Sequence, residues 1–155
     1  MIFRQSFVRF IPGRVLRMME FQVRARIGHT TVTIPVNRIQ GLAHLRWKRT
    51  WMTHVLERLV GIKAGSFIDI GANIGQTLLD LQATHPEVAY VGFEPNSGCS
   101  TYVNDLIRTN SLSNCTVIPV ALADEAKLSR LYCHVGAPMD DRGTIVPDLD
   151  RKSVV

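Results

Sequence analysis

Two carboxylates, Asp69 and Glu94, stand near the ends of short apolar runs with a glycine turn between them. The stretch "FIDIGANIGQT", Phe67 to Thr77, passes from an apolar run through Asp69 into Gly71 and Gly75, four apart, and then into a helix-like segment. A second run, in "VGFEPN", ends in Glu94 and Pro95, with Glu94 twenty-three residues after Gly71. In a doubly wound sheet the ligand lies at the carboxyl ends of the strands, and the first strand-to-helix turn approaches it most closely. Gly71 can take backbone angles that a side chain forbids, and Gly75 allows the next helix to pack close to the strand.

The residue types narrow the ligand. A dinucleotide fingerprint needs a glycine two residues after the first, and Asn73 stands there, so G-x-G-x-x-G is not met. A pyrophosphate at the helix N-terminus would also sit beside Asp69, and two like charges about 5 Å apart at an effective dielectric of 20 repel by roughly 3 kcal/mol. A cationic ligand gains from the same carboxylate. Glu94, at the end of the second strand, can accept both hydroxyls of an adenosine ribose. The two acids with the turn between them therefore fit an adenosine whose other end is an amino acid. S-adenosylmethionine has an ammonium, a sulfonium and no phosphate. An NAD-dependent or nucleotide-sugar enzyme is disfavoured by Asp69 and Asn73. Each feature alone is common; their order and spacing carry the reading.

The elements that must hold these residues follow from periodicity. Phe21, Val23, Ala25 and Ile27 alternate with Gln22, Arg24 and Arg26; Gly28-His29 precedes Val32, Ile34 and Val36. This predicts a hairpin with a loop slightly longer than ideal. Trp51, Met52, Val55, Leu56, Leu59 and Val60 form one stripe at helical spacing, with Gly61 as a stop signal. Strand, helix, strand, helix and strand then follow at 66–70, 74–84, 88–93, 98–110 and 116–122. Strands alternating with crossover helices imply a parallel sheet. A further strand is predicted over 128–134, and 136–155 reads as an irregular loop.

Taken together, "FIDIGANIGQT", "VGFEPN" and "NCTVIPVALAD" resemble the FkbM-type branch of class I S-adenosylmethionine-dependent methyltransferases, over roughly Phe21 to Tyr132. The resemblance implies an α/β, Rossmann-like class I methyltransferase fold preceded by a β-hairpin and helix. It implies that Asp69, Gly71, Ala72, Asn73 and Gly75 line the methionine part of the cofactor and that Glu94 holds the ribose hydroxyls. Ala121 and Leu122, with Asp124 a further candidate, would lie near the adenine. The implied activity is O-methylation of a sugar, glycan or natural product. The family's fourth strand and acceptor half have no counterpart before Val155, so the chain is expected to be truncated after the third core strand. The expected organisation is a basic extension over 1–20, a lead-in over 21–60, a cofactor-binding half-domain over 61–135 and a tail over 136–155. The fourth strand of the family lies beside the first, so the 67–70 strand is expected to be an unpaired edge open to self-association. The competing reading is a remnant or binding module that holds S-adenosylmethionine, or only a partner chain, without turnover.

Composition bounds the remaining classes. At 155 residues and 46% hydrophobic the chain suits one domain. No run of about 18 apolar residues spans a membrane, and Arg4, Arg9, Arg14 and Arg17 interrupt any secretory core, so a cytoplasmic location is expected. Residues 1–60 carry eleven Lys or Arg against Glu20 and Glu57, a balance of +9, whereas residues 61–155 carry seven against eleven acids, or −4. Without a nucleic-acid motif the basic third reads as a solvated face: a nucleic-acid partner is not expected, and contact with an anionic membrane surface is the lesser alternative. Cys99, Cys115 and Cys133 have no C-x-x-C spacing and support neither a disulfide framework nor a metal site. No catalytic base is assigned: His29, His44 and His54 precede the first strand of the alternation, His85 closes a helix away from the strands' carboxyl ends, and His134, on the last predicted strand, is the remaining candidate.

Overall fold

The alternating segment forms the first sheet of the computed structural model, which describes residues 2–8, 11–16, 18–37, 40–46, 50–63, 65–133 and 153–154. Strands β1 (Ile2–Arg4), β2 (Glu20–Ile27) and β3 (Thr30–Asn37) lie in that order, β1 parallel and β3 antiparallel to β2. Ile27 pairs with Thr30, so the hairpin loop is the two residues Gly28 and His29, shorter than the apolar spacing alone suggests. The ladder continues past the last apolar pair because threonines suit strands as well. Phe3 packs edge-on against Phe21, with ring centroids 5.3 Å apart, which builds the first residues into the sheet. Two four-residue helices, α1 (Gln5–Val8) and α2 (Gly13–Leu16), lie between β1 and β2, and a short α3 (Leu42–Arg46) leads from β3 to α4 (Thr50–Ile62). Gly61 does not stop α4, which runs one residue further.

The second sheet follows the expected alternation: β4 (Phe67–Ile70), α5 (Gln76–Thr84), β5 (Tyr90–Phe93), α6 (Ser97–Thr109) and β6 (Cys115–Ile118). All three strands are parallel in the order β4-β5-β6. Because the chain steps in one direction and such crossovers are right-handed, both helices cover the same face. That face holds Tyr90, Gly92, Cys115 and Val117, all buried. Leu78, Leu79 and Leu81 of α5 and Val103 and Leu106 of α6 pack in one core with the inner face of the hairpin, Val23, Ile34 and Val36.

Helix α6 also closes the β3 edge. The Asn110 side chain accepts from Thr33 N–H and donates to Thr33 C=O, both at 2.7 Å, and Tyr102 Oη donates to Pro35 C=O at 2.8 Å. The amide thus stands in for a neighbouring strand. The β4 edge has no strand beside it among the described residues, and on its uncovered face Ile68 and Ile70 are 61% and 70% exposed. In α4 only part of the predicted stripe is covered: Leu56 is buried, while Trp51, Val55 and Leu59 are exposed.

The later strands differ most from expectation. β6 ends at Ile118, not Leu122, because the apolar run continues after its ladder partners in β5 have ended at Phe93. The strand foreseen over 128–134 shrinks to β7 (Tyr132–Cys133), and Leu128 is fully exposed. Its partner is β8 (Ser153–Val154), within the segment read as irregular. His134 lies outside the described residues.

Candidate active site

The glycine turn is built by backbone angles that only certain residues adopt. Gly71, Asn73 and Gly75 have φ of 86°, 48° and 83°, in the left-handed region, where Gly is free and Asn is the best-tolerated alternative. A Cβ on Gly71 would meet nothing within 4 Å, so this part of the turn faces open space. A Cβ on Gly75 would come 3.3 Å from Leu106 and 3.4 Å from Val103, so that glycine serves the packing of α5 against α6.

Hydrogen bonds then tie the turn to the strand ends. Gly71 N–H and Ala72 N–H both donate to Phe93 C=O, at 2.9 and 3.0 Å. Glu94, itself buried, accepts from Asn73 N–H through Oε2 at 2.7 Å and from Asn96 N–H through Oε1 at 2.8 Å. Asn96 in turn caps α6, its side-chain oxygen accepting from Gly98 N–H and Cys99 N–H. Cys99 Sγ lies 3.6 Å from Asn73 Oδ1. One carboxylate therefore joins the first strand-to-helix turn to the second, and each of its oxygens keeps a further lone pair for a ligand hydroxyl.

Asp69 is half-buried at the end of β4. Its Oδ2 accepts from Tyr90 Oη at 2.7 Å, and Thr77 at the start of α5 also hydrogen-bonds its side chain. Burial pushes its pKa up, and the two hydrogen bonds oppose that rise. Burial, with the negative charge of Asp69, holds the Tyr90 hydroxyl firmly protonated.

Asp69, Gly71, Asn73, Gly75 and Glu94 are thus gathered at the carboxyl ends of β4 and β5. Ala72 differs: its side chain is buried in the core, because an inward methyl is what fits beside Gly92, and its N–H, like that of Gly71, is taken by Phe93. Ala121 and Leu122 lie in an exposed loop after β6, where with Pro95, Pro119 and Asp124 they line an open groove of about 610 Å³.

Sequence reasoning missed four contributors. Tyr90 and Thr77 hold Asp69; Gly92, the ladder partner of Asp69, leaves space for the Tyr90 ring. A glycine inside a strand marks close approach, and that signal was available. The fourth is His44, buried, whose Nε2 lies 3.0 Å from Ile74 C=O and must therefore carry a proton to donate. Among the described residues no group of three or more His, Cys, Asp or Glu could hold a metal ion, and no helix is long and apolar enough to cross a membrane.

Comparison with known proteins bears on the chemistry. The chain is 28% identical over 93 residues to a tRNA (guanine-N(7)-)-methyltransferase of Nitrosomonas eutropha. This chain is similar to a methyltransferase. The match takes in 60% of this chain and 40% of that protein, so the chain spans well under half of its relative. No family model matches the chain, and no solved structure does. The mixed α/β architecture with its parallel sheet is compatible with a Rossmann-like methyltransferase fold.

Proposed function

We propose that the chain is the cofactor-binding part of an S-adenosylmethionine-dependent methyltransferase of the FkbM type, acting on a hydroxyl of a sugar, glycan or natural product. The observation that carries this reading is the half-buried Asp69 carboxylate beside a turn that faces open space at Gly71. Residues 69–77 contain no Lys or Arg to receive a phosphate. Asp69 and the exposed backbone at Gly71 would hold the amino-acid end of the cofactor. Glu94, already anchored by two amides, would receive the ribose hydroxyls, and the loop with Ala121 and Leu122 would flank the adenine.

When bound, this cofactor supplies a methyl group activated by a sulfonium. The chain contributes position and charge: Asp69 and Glu94 sit on two strand ends joined by Glu94, so their separation is fixed before the ligand arrives. His44 is not available as a base through Nε2, which is committed to Ile74 C=O.

A second reading concerns the acceptor. Arg4 and Arg24 are ladder partners, Arg26 lies on the same face of the first sheet, and all three are exposed without an acidic partner among the described residues. Like charges side by side favour a polyanion, and the relative above is named for tRNA. Labelled methyl transfer from S-adenosylmethionine to a mixture of glycosides and, separately, to bulk tRNA distinguishes the two. The hydroxyl reading expects label in the glycosides, unaffected by Arg24→Glu. The RNA reading expects label in tRNA, reduced by Arg24→Glu and by added salt.

A further inference from the structure

We propose that Tyr90 is a positioning residue for the candidate site, its hydroxyl fixing the orientation of the Asp69 carboxylate, with Gly92 a glycine so that the ring can pass. Its role at Asp69 rests on the cofactor reading above; the contact itself does not.

In the parallel ladder Tyr90 pairs with Phe67, and Asp69 pairs with Gly92, two residues further along. The Tyr90 ring stacks over Phe67, centroids 6.4 Å apart and planes within 5°, and then reaches diagonally to Asp69. That path crosses the space where a Cβ on Gly92 would sit, 2.9 Å from both Tyr90 Cε1 and Oη. Any larger residue at 92 would push the ring aside. Tyr90 has no exposed surface, so its hydroxyl needs an internal partner, and Asp69 Oδ2 is that partner. With Oδ2 held, the remaining acceptor positions of the carboxylate are directed by the protein and not by solvent.

Tyr90 of β5 and Thr77 of α5 hydrogen-bond Asp69, while Glu94, beyond the end of β5, and Cys115 of β6 act on the Tyr90 hydroxyl. Of these, only Tyr90 and Thr77 stabilise the ionised form of Asp69 by donating to it. Removing the Tyr90 hydroxyl therefore moves the Asp69 titration to higher pH. If a cationic ligand requires ionised Asp69, its affinity falls with decreasing pH, and in Tyr90→Phe that fall begins at higher pH.

Two readouts decide the matter on the whole chain. Carbon-13 NMR of the Asp69 carboxyl follows its titration without ligand in the unsubstituted chain, in Tyr90→Phe and in Gly92→Ala, which displaces the ring by another route. Titration calorimetry with S-adenosylmethionine across the same pH range follows affinity. The expected result is a higher Asp69 titration in both variants, with affinity of Tyr90→Phe about tenfold weaker near neutral pH, the order of a hydrogen bond to a charged group. A folded variant with unchanged titration and unchanged affinity profile overturns the proposal. If the unsubstituted chain binds no S-adenosylmethionine, the cofactor reading fails by itself, and the carboxyl titration still decides whether Tyr90 governs Asp69.

Discussion

Glu94 accepts the backbone N–H of Asn73 at 2.7 Å, joining two strand-to-helix loops whose residues lie twenty-one positions apart in the chain. A carboxylate is suited to this because it offers two oxygens and no donor, and both oxygens here face amide N–H groups.

Glu94→Gln should therefore be costly although it is nearly isosteric. One amide N–H of Asn73 or Asn96 would face the new NH2 group, leaving a buried donor without an acceptor. The expected loss is about 1–3 kcal/mol, measured by urea unfolding, accompanied by loss of S-adenosylmethionine binding.

Asp69 gives a pH signature of the opposite kind. Its folded-state pKa is raised above the ordinary value of 3.8, so the folded chain holds this proton more tightly than the unfolded chain. The stability that it contributes is fully present below the ordinary carboxylate range and is lost as pH rises through the raised value. Asp69→Asn should consequently be more stable than the unsubstituted chain at neutral pH, with the difference vanishing in acid. Thermal unfolding between pH 3 and 8 tests the sign.

The turn separates two kinds of substitution. Gly71→Ala places a methyl in open space and pays only for its left-handed backbone, about 1–2 kcal/mol. Asn73→Gly relieves the strain of φ 48° and should leave stability within a few tenths of a kcal/mol. Chemical denaturation of the two variants side by side distinguishes backbone from side-chain contributions.

The open β4 edge predicts association behaviour. Ile68→Lys and Ile70→Lys place charge on exposed positions of a strand that has no neighbour on one side among the described residues, which is how natural sheets block edge-to-edge pairing. Sedimentation velocity should show less self-association in the double variant, with the unfolding midpoint little changed.

Much of the fold was legible because the patterns differ in period. Alternation over Phe21–Ile27 and helical spacing over Ser97–Thr109 place β2 and α6 within a few residues. Strand ends were less legible: Val120 and Leu122 continue an apolar run beyond the hydrogen-bonded ladder of β6, and composition does not show where a partner strand ends. Of the candidate site, the backbone turn could be read from Gly71, which signals angles that a side chain forbids, and Gly75, which signals close packing; the left-handed Asn73 between them was not foreseen. The Tyr90 to Asp69 contact could not, since it depends on strand register and on the missing side chain at Gly92. His44 reaches Ile74 from thirty residues away, a closure that periodicity does not encode. In α4 the sequence shows an apolar stripe but not which part of it finds a neighbour; Leu56 does, and Trp51 does not.

In the proposed site, Asp69 and the glycine turn hold a cationic adenosine cofactor. Isothermal titration of the 155-residue chain with S-adenosylmethionine, beside NAD and beside Asp69→Asn, tests it most directly. Saturable binding of S-adenosylmethionine, weakened in Asp69→Asn, with no binding of NAD, is the expected result. Binding of NAD that is undiminished or improved in Asp69→Asn, or no binding of S-adenosylmethionine by the folded chain, would contradict it.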